Sequence, residues 1–299
     1  MKKMLLMISA VMYLLSVTGV AWAEDMVGVI MSSADVPYYV AIQKGIEDEL
    51  AKQGAAAKMV VQKPAPSEMA WKNSARKLVT LEAKVIVAYG GGTAVSAASE
   101  APDLPVVYCG VFDPASVTGK NVTGVEAKVP LQALVNLLKK VSNFTKLGIL
   151  FSSDEPDSVK QADAVAALGG DVVKTDVKGQ DSIALPDGVQ AVFLTCSGAV
   201  QNQKALAGIV EKARAGKIAT ASVFGGSAEL GVLISMSANA EQQSQEAAKM
   251  IAGILKGGAA SSFPVASGSK VELTVNLVEA KAMGINIPFE ILGTAKVIK

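Results

Sequence analysis

A glycine run with a threonine, from Gly90 to Thr93, is the first segment whose residue types suggest chemistry. It stands between an apolar, strand-like run and a helical pattern. Glycines let a ligand approach the backbone, and a helix start offers free N–H groups with positive dipole character. This arrangement suits a carboxylate and makes Gly92 and Thr93 candidate ligand contacts. The run matches neither a Walker A loop nor a dinucleotide fingerprint, and a plain tight turn is the alternative interpretation.

Two acidic residues are candidate partners for a ligand amine. Asp113 precedes Pro114 after an apolar run, and Glu155 follows the apolar run at 146–151. A carboxylate accepts strong hydrogen bonds from an ammonium group. The alternatives are an Asp-Pro turn for Asp113 and, for Glu155, a first-turn acid that complements a helix dipole.

Aromatic residues near predicted strand ends could hold a flat ligand group. The chain has 5 tyrosines, 7 phenylalanines and 2 tryptophans, so Tyr38, Tyr39 and Phe112 stand out there. Aromatic rings provide large contact areas with specific stacking geometry, although each could equally fill core space. Trp71 lies in a helical pattern and is interpreted as a packing residue.

The absence of histidine argues against most hydrolytic and metal chemistry. The chain has 0 histidines, which removes the commonest general base and the commonest metal ligand. No Gly-x-Ser-x-Gly elbow is present. We therefore expect no enzyme activity, no metal site and no cofactor. The two cysteines, Cys109 and Cys196, are too few for a disulfide scaffold, and we expect free thiols rather than a bridge across a cleft.

The first residues predict export. Lys2 and Lys3 precede an apolar stretch at 4–20, and a small-x-small site ends at Ala23. This order predicts a cleavable signal peptide at 1–23 and a periplasmic or otherwise extracytoplasmic location, with an uncleaved anchor as the alternative. The net charge of the whole chain is +1. Such a near-neutral chain has no electrostatic footprint for nucleic acid, so no nucleic-acid partner is expected.

Apolar strand-like runs alternate with helical patterns in both halves of the chain. Alternation of this kind predicts an α/β protein with two Rossmann-like lobes and parallel sheets. Ligands of open α/β sheets bind beyond the carboxyl ends of the strands. Residues directly after predicted strands are therefore the candidate site residues, and two facing lobes would place them across one cleft.

Four segments carry a more specific resemblance: KVIVAYGGGTAVSAA at 84–98, PVVYCGVFDPASVTGKNVTG at 105–124, KLGILFSSDEPDS at 146–158 and VELTVNLVEAKAMGINIP at 271–288. On these segments the chain resembles the ABC transporter substrate-binding proteins of the tryptophan/tyrosine-importer type. The resemblance implies a type I periplasmic-binding-protein fold with three interlobe crossovers, expected near 110–124, 235–239 and 267–271. The expected lobes are 24–111 with 238–268, and 112–237 with 269–299. The helical pattern at 241–255 would return to the first lobe.

The residues and the resemblance together give a set of candidate ligand contacts in both lobes. They are Ser32, Ser33, Tyr38, Gly92, Thr93, Phe112, Asp113, Ser153, Glu155, Ser158, Cys196, Ser197 and Phe224. Two departures from the family pattern affect the ligand. Cys196-Ser197 and Val223-Phe224 stand where relatives often carry acidic or amide groups, the natural partners of an ammonium. Their loss favours a less cationic or more apolar ligand.

The expected function is that of an extracytoplasmic solute-binding protein of an ABC importer. It would close by hinge motion on a small molecule, with an amino acid or related small carboxylate bearing an aromatic or apolar part as the leading ligand class. The importer's membrane subunits would be its partners, and a monomer is expected. The alternatives are a sensor module that presents its ligand to a membrane receptor, and an exported hydrolase.

Overall fold

The computed structural model describes residues 25–55, 57–178, 183–267 and 270–299. The predicted signal peptide at 1–23 lies outside these residues. Within the described ranges, no helix has both the length and the apolar character needed to cross a membrane.

The first part of the chain forms a five-stranded parallel sheet. Its elements follow in the order β1 (Met26–Met31), α1 (Pro37–Lys52), β2 (Lys58–Gln62), α2 (Glu68–Thr80), β3 (Val85–Tyr89), α3 (Gly91–Glu100), β4 (Val106–Val111), a 3₁₀ turn (Pro114–Ser116) and β5 (Val122–Glu126). The strand order in the sheet is β2-β1-β3-β4-β5. Every residue of β3 and β4 is buried, as in parallel sheets that helices cover on both faces.

The rest of the chain builds a seven-stranded sheet. Its elements are α4 (Leu131–Ser142), β6 (Lys146–Phe151), α5 (Pro156–Ala166), β7 (Asp171–Asp176), β8 (Ala191–Leu194), α6 (Gly198–Gln201), α7 (Gln203–Gly216), β9 (Ala219–Ser222), β10 (Ile234–Ala238), α8 (Ala240–Leu255), a 3₁₀ turn (Ala260–Ser262), β11 (Val271–Asn276), α9 (Leu277–Met283), α10 (Phe289–Leu292) and β12 (Lys296–Ile298). The strand order is β12-β11-β10-β9-β8-β6-β7. All pairs are parallel except β10 with β11. The predicted α/β class with two parallel-sheet lobes is confirmed.

Asparagine side chains begin three of the helices that follow a strand or turn. Asn202 accepts a hydrogen bond from the Ala205 amide at 2.9 Å at the start of α7. Asn239 does the same for α8 and Asn276 for α9. An N-cap of this type satisfies one of the free N–H groups of a helix start, which fixes where each helix begins.

The first crossover lies later in the chain than the sequence predicts. β5 pairs in parallel with β4, with Val106 opposite Val122, so the chain stays in the first lobe until Glu126 rather than leaving it at 111. It then crosses at 127–130. The buried Thr123, Gly124 and Val125 close the edge of the first sheet, which explains why this segment returns beside β4.

The chain passes between the lobes twice more. The chain leaves β10 at Asn239 and enters α8, which packs on α1, β4 and β5 of the first lobe. Ala266 then forms a parallel bridge with Val125 before the chain reaches β11. The crossover predicted at 267–271 includes residues 268 and 269, which lie outside the described residues. We call the five-stranded sheet with α1, α2, α3 and α8 the first lobe, and the seven-stranded sheet with its helices the second lobe.

Candidate ligand-binding site

The two lobes meet along the carboxyl ends of their strands. Gly198, after β8, lies so close to the first lobe that a methyl group on it would stand 2.6 Å from Ser32 Oγ and 2.9 Å from Ser33 Cβ. The Phe112 amide, after β4, donates a hydrogen bond of 2.9 Å to Asp157 Oδ2 of the second lobe. These contacts show that the lobes are closed on each other.

An aromatic cluster spans the interface. Phe224 of the second lobe stacks on Tyr38, with ring centroids 4.9 Å apart, and meets the edge of Tyr39 at 5.0 Å. Phe112 lies 6.2 Å from Phe224. The structure thus brings together four aromatic residues that the sequence analysis singled out, Tyr38, Tyr39, Phe112 and Phe224, as an apolar wall between the lobes.

Four buried polar atoms at this interface have no hydrogen-bond partner among the described residues. They are Ser32 Oγ and Tyr38 Oη from the first lobe, and Asp157 Oδ1 and Gln161 Nε2 from the second. Buried polar groups in native proteins are almost always hydrogen-bonded, and each exception calls for an explanation. Four such atoms at one interface make it the candidate position for a ligand.

Asp157 and Gln161 were missed by the sequence analysis. They lie four residues apart on α5, so both point to one face of that helix. The available signal was this spacing in the helix that follows β6, whereas strand-end reasoning selected Glu155 and Ser158 in the same segment. Gln161 Oε1 accepts a hydrogen bond of 2.8 Å from the Cys196 amide, which fixes the orientation of its side chain.

A cavity of about 200 Å³ adjoins Asp157 and Gln161. It lies between the end of β4, the first crossover and α5. Its lining residues are Phe112, Asp113, Lys128, Val129, Leu131, Asp157, Lys160, Gln161 and Ala164. The wall combines apolar side chains with a few polar groups, as small-molecule sites do.

Glu155 binds within its own lobe. Its carboxylate accepts hydrogen bonds from Ser197 Oγ at 2.5 Å and from the Gly198 amide at 3.0 Å. The two candidate residues Glu155 and Ser197 therefore contact each other, and their hydrogen bonds stabilise the turn that carries Gly198. Burial raises the pKa of Glu155 to about 7, although the hydrogen bonds from Ser197, Gly198 and Ala199 oppose this rise.

We expect the ligand-free protein to lose stability as the pH rises from about 5 to about 8. The pKa of Glu155 in the folded protein, about 7, lies above the value of about 4.3 for an unfolded chain. The folded state therefore binds the proton more tightly, and the resulting stability disappears as the pH rises through the folded pKa. Between these two pH values the loss in free energy of unfolding should be on the order of 3 kcal/mol. Glu155→Gln should remove this pH dependence, which thermal unfolding at several pH values would measure. The exposed Glu211→Gln is the control, and equal slopes in all three proteins would contradict the assignment.

Ser158 and Ser153 have partners within the second lobe. Ser158 Oγ accepts from the Ser152 amide at 2.9 Å and shares a hydrogen bond of 2.7 Å with Thr195 Oγ1, which ties the ends of β6 and β8 together. Ser153 is exposed and donates to Asp176 at the end of β7. Ser153 is therefore not brought together with the interface residues.

The glycine run faces the second lobe through Gly91. A methyl group on Gly91 would lie 2.7 Å from Asp157 Cγ. One on Gly92 would instead lie 2.5 Å from the indole ring of Trp71, so Gly92 serves packing inside the first lobe. Thr93 Oγ1 contacts the carbonyl oxygens of Tyr89 and Gly90, each at 2.8 Å.

Asp113 has a charged partner in the opposite lobe, and both cysteines are buried. Asp113 forms an ion pair with Lys160, and this pair bridges the end of β4 and α5 across the interface. Cys109 and Cys196 are both buried free thiols, and burial raises the pKa of each.

Comparisons with known proteins agree with this architecture. A family model described as ABC transporter substrate binding protein matches residues 27–299. An ABC domain from Streptococcus pneumoniae in complex with L-Trp is 25% identical, with a TM-score of 0.82 over 92% of this chain and 100% of that chain. A conserved domain protein from Vibrio cholerae O1 biovar El Tor is 22% identical, with the same TM-score and coverage.

More distant matches share the fold. A ligand-free, open substrate-binding protein with adhesive properties from Clostridium difficile is 21% identical, with a TM-score of 0.62 over 92% of this chain and 99% of that chain. No curated protein matches the sequence. The family match covers most of the chain, and the two lobes with their parallel sheets agree with it. This chain belongs to the ABC transporter substrate-binding protein family and has the type I periplasmic-binding-protein fold that the sequence predicted.

Proposed function

We propose that this protein binds a small organic molecule between its lobes outside the cytoplasm and delivers it, as a monomer, to the membrane subunits of an ABC importer. The observation that carries the proposal is the set of four unpartnered buried polar atoms, two from each lobe. A ligand that bonds to both lobes stabilises the closed arrangement over the open one. The role is binding without catalysis, after export directed by the signal peptide predicted at 1–23.

The proposed ligand class is an amino acid or related small molecule with an apolar or aromatic part. The relative from Streptococcus pneumoniae is described in complex with L-Trp. Here Tyr38, Phe112 and Phe224 offer apolar and aromatic surface at the interface. Asp157 supplies an acidic group at the lobe interface, although the positions after β8 and β9 lack one.

Thermal unfolding against a ligand panel tests this function. The refolded, ligand-free mature protein is mixed with amino acids, small amines, carboxylates, nucleosides and sugars. A ligand at about 100 times its Kd stabilises the folded state by about 2.7 kcal/mol, which is a rise of roughly 5–10 °C for a protein of this size. A rise only with sugars or nucleosides would refute the ligand class. No rise with any compound would contradict the binding role.

A further inference from the structure

The buried charges at the lobe interface are all negative. Glu155 and Asp157 are buried there, and no lysine or arginine is buried anywhere among the residues that the structure describes. The third buried carboxylate, Glu279, pairs with Arg214 within the second lobe, away from this interface. Lys160 is exposed at the edge and pairs with Asp113. The buried acidic groups at the interface therefore have no buried cation beside them, and the lysines that line the adjacent cavity, Lys128 and Lys160, are both exposed.

Of the two carboxylates, Asp157 is the one left incompletely bonded. Its side chain is only 4% exposed. Oδ2 accepts the hydrogen bond from Phe112, and the Asp113 amide and the nearby Lys160 also stabilise the carboxylate, whereas Oδ1 has no partner. A buried carboxylate oxygen without a hydrogen-bond partner carries a large desolvation cost. A cationic group on the ligand would remove that cost, because an opposite charge favours the ionised form.

Two helix starts at the interface already have an acidic side chain of the protein beside them. Helix starts with free N–H groups are the usual anion sites of such folds. Glu155 already accepts from the first amides of α6. Asp157 lies against Gly91, the first residue of α3. Two carboxylates of the protein thus lie beside these two helix starts, where their charge disfavours a ligand carboxylate.

Gln161 adds a neutral donor beside Asp157. Its Nε2 has no partner, its side chain is 3% exposed, and it lines the 200 Å³ cavity together with Asp157 and Phe112. One turn of α5 therefore carries a carboxylate and an amide donor beside the same cavity, next to apolar side chains.

We propose that the protein recognises its ligand chiefly through a cationic nitrogen group held by Asp157, with Gln161 donating to a neutral acceptor, and that a ligand carboxylate contributes little. The ligand class is then apolar primary amines together with amino acids that carry the same side chain. This inference rests on the proposed function and narrows it to one charge requirement.

Matched compounds test the charge requirement by calorimetry at about pH 8. The probes are L-tryptophan, tryptamine and indolepropionate, and L-leucine, isoamylamine and isocaproate. In the series that binds, the amine should stay within about 10-fold of the amino acid, and the acid without nitrogen should lose at least about 100-fold, which is 2.7 kcal/mol or more. An amine that binds at least 100-fold more weakly than its amino acid would overturn the proposal, as would an acid that binds as well as the amine.

A second measurement needs no ligand. Asp157→Asn should raise the unfolding temperature of the ligand-free protein by about 2 °C or more at about pH 8, because it removes an incompletely paired buried charge. The exposed Asp154→Asn is the matched control and should not change it. If none of the six compounds binds, the ligand class given under the proposed function is wrong. The stability of Asp157→Asn relative to the wild type then tests the cation site independently of any ligand. An Asp157→Asn protein less stable than the wild type would overturn it.

Discussion

Gly198→Ala should reduce ligand affinity by at least about 100-fold while the ligand-free protein stays folded. In the closed arrangement the added methyl group would lie 2.6 Å from Ser32 Oγ and 2.9 Å from Ser33 Cβ, closer than real Cβ contacts allow. Ser32 and Gly198 belong to different lobes, so the protein can relieve the clash by opening. A ligand that binds only the closed state then loses affinity in proportion to the lost closed population.

The backbone at Gly198 has no left-handed φ, so alanine causes no strain of its own there. Gly208→Ala on α7 is the matched control, since a methyl group there meets nothing within 4 Å. It should be neutral or slightly stabilising, because alanine favours a helix. The thermal shift with L-tryptophan, or with the compound that gives the largest shift in the panel, is the measurement. Wild-type affinity in Gly198→Ala would mean that the ligand-bound arrangement differs from the closed one described above.

The fold was predictable in its alternation of strands and helices but not in every strand partner. Apolar periodicity identifies the β3 and β4 segments and their helices because each signal is local. Whether the segment at 122–126 pairs with β4 or starts the second lobe depends on contacts distant in the sequence. The segment is short and contains a glycine, so its own sequence is a weak strand signal. Its partner is identified by the close contact between Gly124 and Tyr108 of β4, which only the folded structure shows.

The candidate site was predictable only where its residues follow the ends of strands. Ser32, Phe112 and Phe224 follow strands, and the structure places all three at the lobe interface. Asp157 and Gln161 escape the rule because they project from a helix face after the turn. Ser153 satisfies the rule, but its turn directs it to Asp176 at the neighbouring strand.

Two glycines show how closely the lobes match. Gly91 of the first lobe makes room for Asp157 of the second, and Gly198 of the second makes room for Ser32 of the first. Each glycine thus faces a side chain that has an unpartnered polar atom. A side chain at Gly91 would push Asp157 away, and one at Gly198 would push Ser32 away, so the lobes could not approach this closely. We therefore interpret the glycines as requirements of closure rather than of local turns.

Trp71→Ala should lower the free energy of unfolding by about 3–5 kcal/mol, the usual cost of truncating a buried tryptophan. Trp71 is 1% exposed, and its ring fills the space above Gly92. Its Nε1 donates a hydrogen bond of 2.9 Å to the Ser32 carbonyl, so the loss also frees the turn that carries Ser32 Oγ. Ligand affinity should therefore fall together with stability.

Urea denaturation measures the first effect and calorimetry the second. Met69→Ala lies on the same helix, two residues away, but Met69 is 65% exposed, so this control should change stability by less than about 0.5 kcal/mol. Trp71→Phe separates the two contributions, because it keeps an aromatic ring over Gly92 and removes the donor to Ser32. If Trp71→Phe binds ligand as the wild type does, the hydrogen bond does not position Ser32. If Trp71→Ala lowers the free energy of unfolding by less than about 1 kcal/mol, neighbouring side chains of the first lobe must repack to fill the cavity left by the ring.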